Sequence, residues 1–306
     1  MDGYAAGADV VAGLDDVVAQ LGELRRQSHR DRYGGGPPPE LPSRVVMTEI
    51  VDELIAVMFP RHFGPRTLVG ESLDAFVRFQ LTRTQERLAD QVRLELVLAS
   101  PDAVDPAEGE AVSADIARRF VAGLPRVRAL LETDIRAAYE GDPAANSLDE
   151  VMCCYPGVAA IIRHRLAHDL YRLGAPMLAR IVSEASHSAT GIDIHPGAQI
   201  GESFFIDHGT GVVIGETAIV GARVRVYQGV TLGARRFAVG PDGALEKHTL
   251  RHPIIEDDVV IYAGATVLGR ITVGRGSVIS GSVWLTQSVP EGSTVTQALA
   301  SRSVIT

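Results

Sequence analysis

The sequence predicts an α + β fold, in which an all-helical N-terminal domain is followed by a parallel β-helix of hexapeptide repeats with a protruding loop. Apolar residues recur every three to four positions as far as about residue 186, as they do on one face of a helix. From Ile194 the apolar period becomes six, and one polar stretch interrupts it. The predicted boundaries are 1–190 for the helical domain, 191–290 for the β-helix and 291–306 for a C-terminal tail.

The helical domain is predicted from six segments with helical apolar spacing. The first, 10–24, is ended by GGGPPP at 34–39, because glycine is too flexible and proline cannot continue the hydrogen-bond ladder. Gly174 is a natural stop for the segment that follows YPG at 155–157. The other five segments are 45–59, 73–98, 114–139, 158–170 and 176–186.

The β-helix is predicted from two series of residues at six-residue spacing, all aliphatic except one alanine. Each hexapeptide repeat forms one short flat side of a parallel β-helix, and the aliphatic side chains stack inside at strand spacings of about 4.8 Å. Small residues often lie two places earlier, as Ala198, Thr210 and Ala265 do. The first series is Ile194, Ile200, Ile206, Val212, Ala218, Val224 and Val230, and the second is Ile255, Ile261, Val267, Val273, Ile279 and Leu285.

The protruding loop is predicted from the gap between the two series. The interval from Val230 to Ile255 exceeds four whole repeats by one position, so part of the chain must leave the wall. The stretch 234–252 is polar and contains glycine, as protruding loops do. A long loop on a rigid scaffold is where a binding site is expected.

The composition narrows the class of protein. The chain has 306 residues, 46% hydrophobic and 22% charged, which is typical of a globular protein, and its net charge of −9 disfavours nucleic-acid binding. No apolar run approaches the roughly 20 residues that span a bilayer, and the N-terminus lacks the pattern of a signal peptide. The only cysteines, Cys153 and Cys154, are adjacent and poorly placed for a disulfide, which predicts a cytoplasmic protein. We expect both to pack beside a helix.

Several motifs resemble those of the serine O-acetyltransferase family of hexapeptide-repeat acyltransferases. They are DIHPGAQIG (193–201), IDHGTGVVIGETA (206–218), QGVTLGA (228–234) and RHPIIEDDVVIYAGATVLG (251–269), with GDPAANS (141–147) in the helical domain. The DH-G-TG-V-IGET string with its downstream RHP is the specific part, since hexapeptide repeats alone occur in many acyltransferases. The resemblance implies a left-handed β-helix and transfer of acetyl from acetyl-CoA to the hydroxyl of L-serine, the first step of cysteine biosynthesis, without a metal.

His208 is the predicted general base. An ordinary histidine pKa of about 6.5 leaves the imidazole mostly neutral at neutral pH yet able to take a proton, and such a base contributes about 10²- to 10⁴-fold. The resemblance implies that Asp193 bonds the other ring nitrogen and stabilises the imidazolium. The spacing of the two residues, one coil less about half a side, permits contact without requiring it. Direct attack by the substrate, with no covalent enzyme intermediate, is implied as well.

The two substrates need further groups. Serine is a zwitterion, so its site should offer carboxylates to the ammonium and cations to the carboxylate. By resemblance Asp142 and Asp207 bind the ammonium, and Arg251 with His252 binds the carboxylate. Small residues that let acetyl-CoA approach the main chain are predicted at Gly233, Ala234, Ala263 and Gly281. Arg235 and Arg236 either meet the phosphates of CoA or face solvent.

The resemblance also bears on assembly and partners. Relatives of this fold form trimers with active sites between subunits, so we expect a homo-trimer, which the helical domain could pair into a hexamer. L-cysteine is implied as a feedback inhibitor. Many relatives end in isoleucine, which docks into O-acetylserine sulfhydrylase. This chain has Thr306 after Ile305, which puts that complex in doubt.

Three alternatives remain at the level of sequence. Another acceptor with a hydroxyl or amino group, such as homoserine, is possible because one methylene is worth only about 1–3 kcal/mol in a pocket. A zinc hydro-lyase on the same fold needs three converging histidines. His164 and His168 are spaced for zinc, yet no third ligand is in view, and both are expected to be structural, like His195. A non-catalytic trimeric scaffold would bind no acetyl-CoA.

Overall fold

A computed structural model describes residues 6–34, 36, 38–67, 70–99, 105–236, 240–241, 243–247 and 249–297. The chain divides into two compact units, Met1–Leu41 and Pro42–Thr306. The first unit consists mainly of helix α1 (Ala6–Tyr33), which ends, as predicted, at the glycine-rich segment. The C-terminal residues 305 and 306, on which the docking prediction rests, lie outside the described residues.

In the described residues of the second unit, seven helices come first: α2 (Arg44–Met58), α3 (Pro60–Phe63), α4 (Glu71–Ala99), α5 (Pro106–Gly141), α6 (Leu148–Cys154), α7 (Pro156–Arg172) and α8 (Pro176–Thr190). All five helical segments predicted for this part of the chain are confirmed. The short helices α3 and α6 were not predicted, because one or two turns are too short to show a period. The two cysteines end α6 and are exposed, so the expectation that they pack was wrong. Within the described residues, no helix has the length and apolar character needed to cross a bilayer.

Fourteen short parallel strands follow the helices in the described part of the chain. They are β1 (Asp193–Ile194), β2 (Gln199–Ile200), β3 (Phe205–Ile206), β4 (Val213–Ile214), β5 (Ile219–Val220), β6 (Arg225–Val226), β7 (Thr231–Gly233), β8 (Ile254–Ile255), β9 (Val260–Ile261), β10 (Thr266–Leu268), β11 (Thr272–Val273), β12 (Val278–Ile279), β13 (Trp284–Leu285) and β14 (Thr294–Val295).

These strands form three parallel sheets, which are the three sides of a parallel β-helix. Sheet A has the order β1-β4-β7-β10-β13, sheet B β11-β8-β5-β2 and sheet C β14-β12-β9-β6-β3. From β1 to β13, successive strands therefore belong to sheets A, B and C in turn, and each pairs with the strand one coil away. Between β13 and β14 the place in sheet B is taken by an isolated bridge from Val289 to Val273. The inward column of sheet A is fully buried or nearly so: Ile194, Ile214, Leu232, Val267 and Leu285.

The register of the strands gives the length of each coil. Ile261 pairs with Ile279, which lies three six-residue sides further along the chain, as a regular coil requires. Ile194 pairs with Ile214, two positions beyond a regular coil, so the first coil is slightly enlarged. Strands β5 and β8 pair Val220 with Ile255, which is almost two regular coils away, so the chain between β7 and β8 carries a long insertion.

The predicted period was therefore wrong at one point. Ile206 belongs to a strand column, whereas Val212 lies two positions before the matching one in β4. This two-residue shift was not visible in the sequence, because alternate residues of a strand face the same side. The position two places earlier therefore also carries an inward aliphatic side chain.

A buried ion pair joins the helices to the first coil. Arg165 of α7 donates from Nε and Nη2 to Asp134 of α5 at 2.6 and 2.8 Å, and their side chains are 5% and 0% exposed. Asp134 also accepts the backbone N–H of Phe204 at 2.9 Å, and Arg165 donates to the carbonyl oxygens of Ile200 and Gly201. Both buried charges thus have partners, as burial demands. The end of α5 is in this way fixed beside β3.

Candidate active site

The enlargement of the first coil lies at one corner of the β-helix. The matching positions of β3 and β4, Phe205 and Val213, are two places further apart along the chain than those of β6 and β7. We call the corner between sheets C and A the histidine corner; it comprises residues 207–212, 227–230, 262–265 and 280–283. Asp207 and His208 lie in its widened first turn.

His208 adopts a conformation that few non-glycine residues take. Its φ is +58°, in the left-handed region, where histidine is among the better tolerated side chains. The imidazole is 73% exposed and its Nε2 lies 3.8 Å from Oδ1 of Asp207, whose side chain is 15% exposed. The separation is too long for a hydrogen bond but short enough for electrostatic stabilisation of a protonated ring.

Asp142 of the helical region reaches the same corner. It caps the C-terminus of α5, and its Oδ1 accepts the backbone N–H of Ala144 at 2.8 Å. Its Oδ2 accepts the hydroxyl of Tyr155 at 2.5 Å. This hydrogen bond, the Ala144 N–H and the charge of His208 hold the pKa of Asp142 below its ordinary value. The same bond raises the pKa of Tyr155 to about 12. Asp142 is therefore a carboxylate at neutral pH.

Asp193 faces outward from the first strand of sheet A. Its neighbour Ile194 is buried in the core, and its cross-strand partner is Val213. The described side chains of Asp193 and His208 form no hydrogen bond or ion pair with each other. The predicted pairing of these two residues therefore stays a prediction.

Arg251 and His252 lie at a different corner, between sheets A and B. We call it the arginine corner; it comprises residues 215–218 and 251–253. Arg251 donates from Nη2 to Oε2 of Glu216 at 2.6 Å, and both side chains are largely buried. Its Nη1 donates to the carbonyl of Thr249, and its backbone N–H donates to Oγ1 of Thr217. The guanidinium has five N–H donors, so this arrangement leaves others for a ligand.

His252 is held as a neutral imidazole. Burial, and next the charge of Arg251, lowers its pKa to about 4. Its Nδ1 accepts the backbone N–H of Thr217 at 3.1 Å, which assigns the ring proton to Nε2. The ring packs on Gly215, where an added Cβ would lie 2.0 Å from Cδ2 of His252. Glycine is required there for this close approach.

The two corners stand at opposite ends of the same side. His208 precedes β4 and Gly215 follows it directly. A six-residue side at about 3.3 Å per residue spans up to about 20 Å, several times the distance between the ammonium and carboxylate of one amino acid. Within one chain Asp207 and His208 therefore share one corner, and Asp142 is within electrostatic reach of His208, whereas Arg251 lies at the other corner.

The four candidates for acetyl-CoA are divided in the same way. Ala263 and Gly281 lie on the histidine corner, where a Cβ added to Gly281 would be 3.2 Å from the carbonyl oxygen of Ala263. Gly233 ends β7 on the opposite edge of sheet A, and Ala234 follows it. Arg235, next in the chain, has an exposed side chain.

The remaining histidines of α7 and the first coil are neutral. Burial lowers the pKa of His164 well below its ordinary value, and its Nδ1 has no hydrogen-bond partner. Burial also lowers the pKa of His168, whose Nδ1 contacts the carbonyl oxygen of Pro196 at 2.8 Å. The pKa of His195 falls to about 4, again through burial, and this ring accepts the backbone N–H of Gly197. Among the described residues, no three His, Cys, Asp or Glu side chains converge as metal ligands would.

Three residues that hold site residues in place were not predicted from the sequence. Tyr155 donates to Asp142, and Glu216 and Thr217 hold Arg251 and its neighbour. The signal for the last two was present, since both belong to the quoted IGET string.

Comparisons with known sequences and with solved structures agree on one family. No family model matches the chain. It is 53% identical over 291 residues to the plasmid serine acetyltransferase of Synechococcus elongatus, covering 94% of this chain and 91% of the relative. It is 51% identical over 162 residues to the serine acetyltransferase of Mycobacterium tuberculosis, covering 53% and 67%.

Solved structures give the same result. Entamoeba histolytica serine acetyltransferase 1 in complex with L-cysteine matches with a TM-score of 0.71 and 38% identity, over 80% of this chain and 85% of that chain. Neisseria gonorrhoeae serine acetyltransferase in complex with serine matches with a TM-score of 0.53 and 28% identity, over 82% and 94%.

Proposed function

The chain belongs to the serine acetyltransferase family and is an acyltransferase, and from this premise we propose that His208 is the general base that activates L-serine for attack on acetyl-CoA. The observation that carries the proposal is the 3.8 Å approach of Asp207 to His208 at the widened histidine corner, and the charge of His208 also acts on the carboxylate of Asp142. Two carboxylates suit an ammonium, and the exposed imidazole beside them suits the hydroxyl.

The chemical step follows from these groups. The hydroxyl oxygen of serine attacks the thioester carbonyl carbon while the imidazole of His208 takes the hydroxyl proton. The tetrahedral intermediate then collapses, the C–S bond breaks, and the imidazolium returns the proton to the leaving thiolate of CoA. Asp207, 3.8 Å from Nε2, stabilises the imidazolium. In this scheme Asp193 orients the ring once the substrates are bound, and neither cysteine takes part.

The carboxylate of serine requires the arginine corner of another subunit. Arg251 and His252 lie a whole side of the β-helix away from His208 in their own chain, so one serine molecule cannot reach both. A cyclic trimer solves this problem by placing the arginine corner of one subunit against the histidine corner of the next. The division of the acetyl-CoA candidates, with Ala263 and Gly281 on one corner and Gly233 and Ala234 near the other, supports the same arrangement. Pairing of two such trimers would give a hexamer.

The handedness of the β-helix and the nature of the insertion are part of the same proposal. We infer a left-handed β-helix and assign the insertion between β7 and β8 to a protruding loop that delivers Arg251 to its corner. Binding of L-cysteine in the serine site as a feedback inhibitor is supported by the solved Entamoeba relative, which carries L-cysteine.

A thiol-release assay tests the reaction. Acetyl-CoA is offered with L-serine, L-homoserine and other hydroxy-amino acids to the wild-type enzyme and to His208→Ala and His208→Asn. Asparagine is the matched control because it also tolerates a positive φ. We expect serine to be preferred and both variants to lose at least about 10²-fold in turnover, with acetyl-CoA binding retained. Faster turnover of homoserine would favour the other acceptor, and near-normal turnover by the variants would remove His208 from its role.

A further inference from the structure

We propose that Tyr155 is a positioning residue for the substrate ammonium and that the segment 155–157 sets the relative placement of the two carboxylates, Asp142 and Asp207. The inference rests on the proposed function, because it concerns the same serine site. Tyr155 lies outside the motifs of the site, and the contacts that support its role are formed within the protein, without a substrate.

The main chain of this segment is fixed from both sides. Tyr155 is at once the C-cap of α6 and the N-cap of α7, and its backbone N–H donates to the carbonyl of Val151 at 3.2 Å. Pro156 follows at the first position of α7, where its ring restricts φ to a helical value. The backbone therefore gives the tyrosine ring a stable base.

Gly157 ties the same segment to the strand that carries Asp207. A Cβ added to Gly157 would lie 2.2 Å from the carbonyl oxygen of Ile206 and 3.0 Å from its Cβ. Only glycine permits so close an approach of α7 to the backbone of β3. Because Asp207 follows Ile206 directly, the close packing of Gly157 on Ile206 ties the start of α7 to the position of this carboxylate.

Tyr155 ties the same segment to Asp142 through a hydrogen bond. The carboxylate of Asp142 stands at the end of α5, where its other hydrogen bond comes from Ala144. The hydroxyl of Tyr155 donates to its second oxygen at 2.5 Å and so fixes the plane of the group. The phenol pKa of about 12 agrees with a hydroxyl held by a carboxylate. A carboxylate retains further lone pairs, so it can still accept the substrate ammonium.

This link matters because both groups carry a negative charge, so the protein has to hold them in place for one ammonium. A shared support keeps them apart at a set distance and orientation, which lowers the cost of organising the site when serine binds. Loss of the hydroxyl should leave Asp142 free to rotate about its side-chain bonds. Serine binding should then weaken, while the chemical step and acetyl-CoA binding should not change.

Steady-state kinetics of Tyr155→Phe test this role. A hydrogen bond to a charged group corresponds to a rise of about 10- to 100-fold in the KM for serine, with kcat and the KM for acetyl-CoA within about twofold of wild type. Tyr139→Phe, an exposed tyrosine of α5, is the matched control and should leave all three parameters unchanged. An unchanged KM for serine in Tyr155→Phe, or an equal fall in kcat, would overturn the proposal.

A titration tests the contact without turnover. Tyrosinate absorbance of the wild type minus that of Tyr155→Phe isolates one phenol, whose pKa of about 12 should fall toward the ordinary value of about 10 in Asp142→Asn. An unchanged titration in Asp142→Asn would also overturn the proposal. The two failures are distinguishable: a wild type that does not acetylate serine would sink the proposed function, whereas an active wild type with an indifferent Tyr155→Phe sinks only this inference.

Discussion

Mixed oligomers can show whether two subunits build each site. We consider co-expression of His208→Ala and Arg251→Ala chains that carry different affinity tags, followed by isolation of oligomers containing both. Each variant alone lacks one half of every site. If a site takes His208 from one subunit and Arg251 from its neighbour, every mixed trimer contains one site in which both halves are wild type.

The expected result is recovery of about one third of wild-type turnover for mixed trimers, or about one quarter for mixed hexamers, measured by thiol release below the KM for serine. Pairing His208→Ala with Asp207→Asn is the control. Both residues lie on the histidine corner of one chain, so no site in that mixture is intact and no recovery is expected. Turnover of the first mixture no higher than that of the control would refute the division of the site between subunits.

Three further outcomes are expected. Gly215→Ala should raise the KM for serine and lower stability by about 1–3 kcal/mol, because its Cβ displaces the ring of His252; a crystal structure with that ring unmoved would contradict this. The free energy of unfolding should decrease as the pH falls from about 6.5 to about 4, because His252 and His195 have ordinary pKa values when unfolded and pKa values of about 4 when folded; urea titrations that are flat over this range would argue against it. Asp134→Asn should destabilise the protein by about 3–5 kcal/mol, since it leaves Arg165 buried without a countercharge, and an unchanged thermal midpoint would show otherwise.

Most of the fold could be predicted from the sequence because both repeating patterns are long. Each helix of more than two turns showed its apolar spacing, and the six-residue period located the β-helix. The features that were not predicted are local ones. Helix α6 is short and depends on Ser147, which caps it through a bond to the N–H of Glu150. The widening at the histidine corner was hidden because aliphatic residues occupy the inward positions on both sides of it.

The sequence named candidate residues for the site but not their geometry. Of these, Asp207 lies 3.8 Å from Nε2 of His208, and the pKa of Asp142 is lowered by its hydrogen bonds from Tyr155 and Ala144 and by the charge of His208. Their roles stay predictions. The resemblance could not indicate that Arg251 lies at another corner. Each corner is formed by residues that are one coil apart along the chain, and the coils differ in length, which only the strand register shows. Long-range partners such as Glu216, which holds Arg251 from the preceding coil, follow from the same register.

The widened corner has a consequence for how such a scaffold can change. An addition of two residues preserves the parity of the chain, so every later side chain keeps its inner or outer orientation and the stacked interior needs no repacking. Reactive groups can therefore be introduced at a corner of this kind. His208 lies within the added stretch, whereas Asp207 keeps its regular place, with its backbone N–H donating to the carbonyl of Val226.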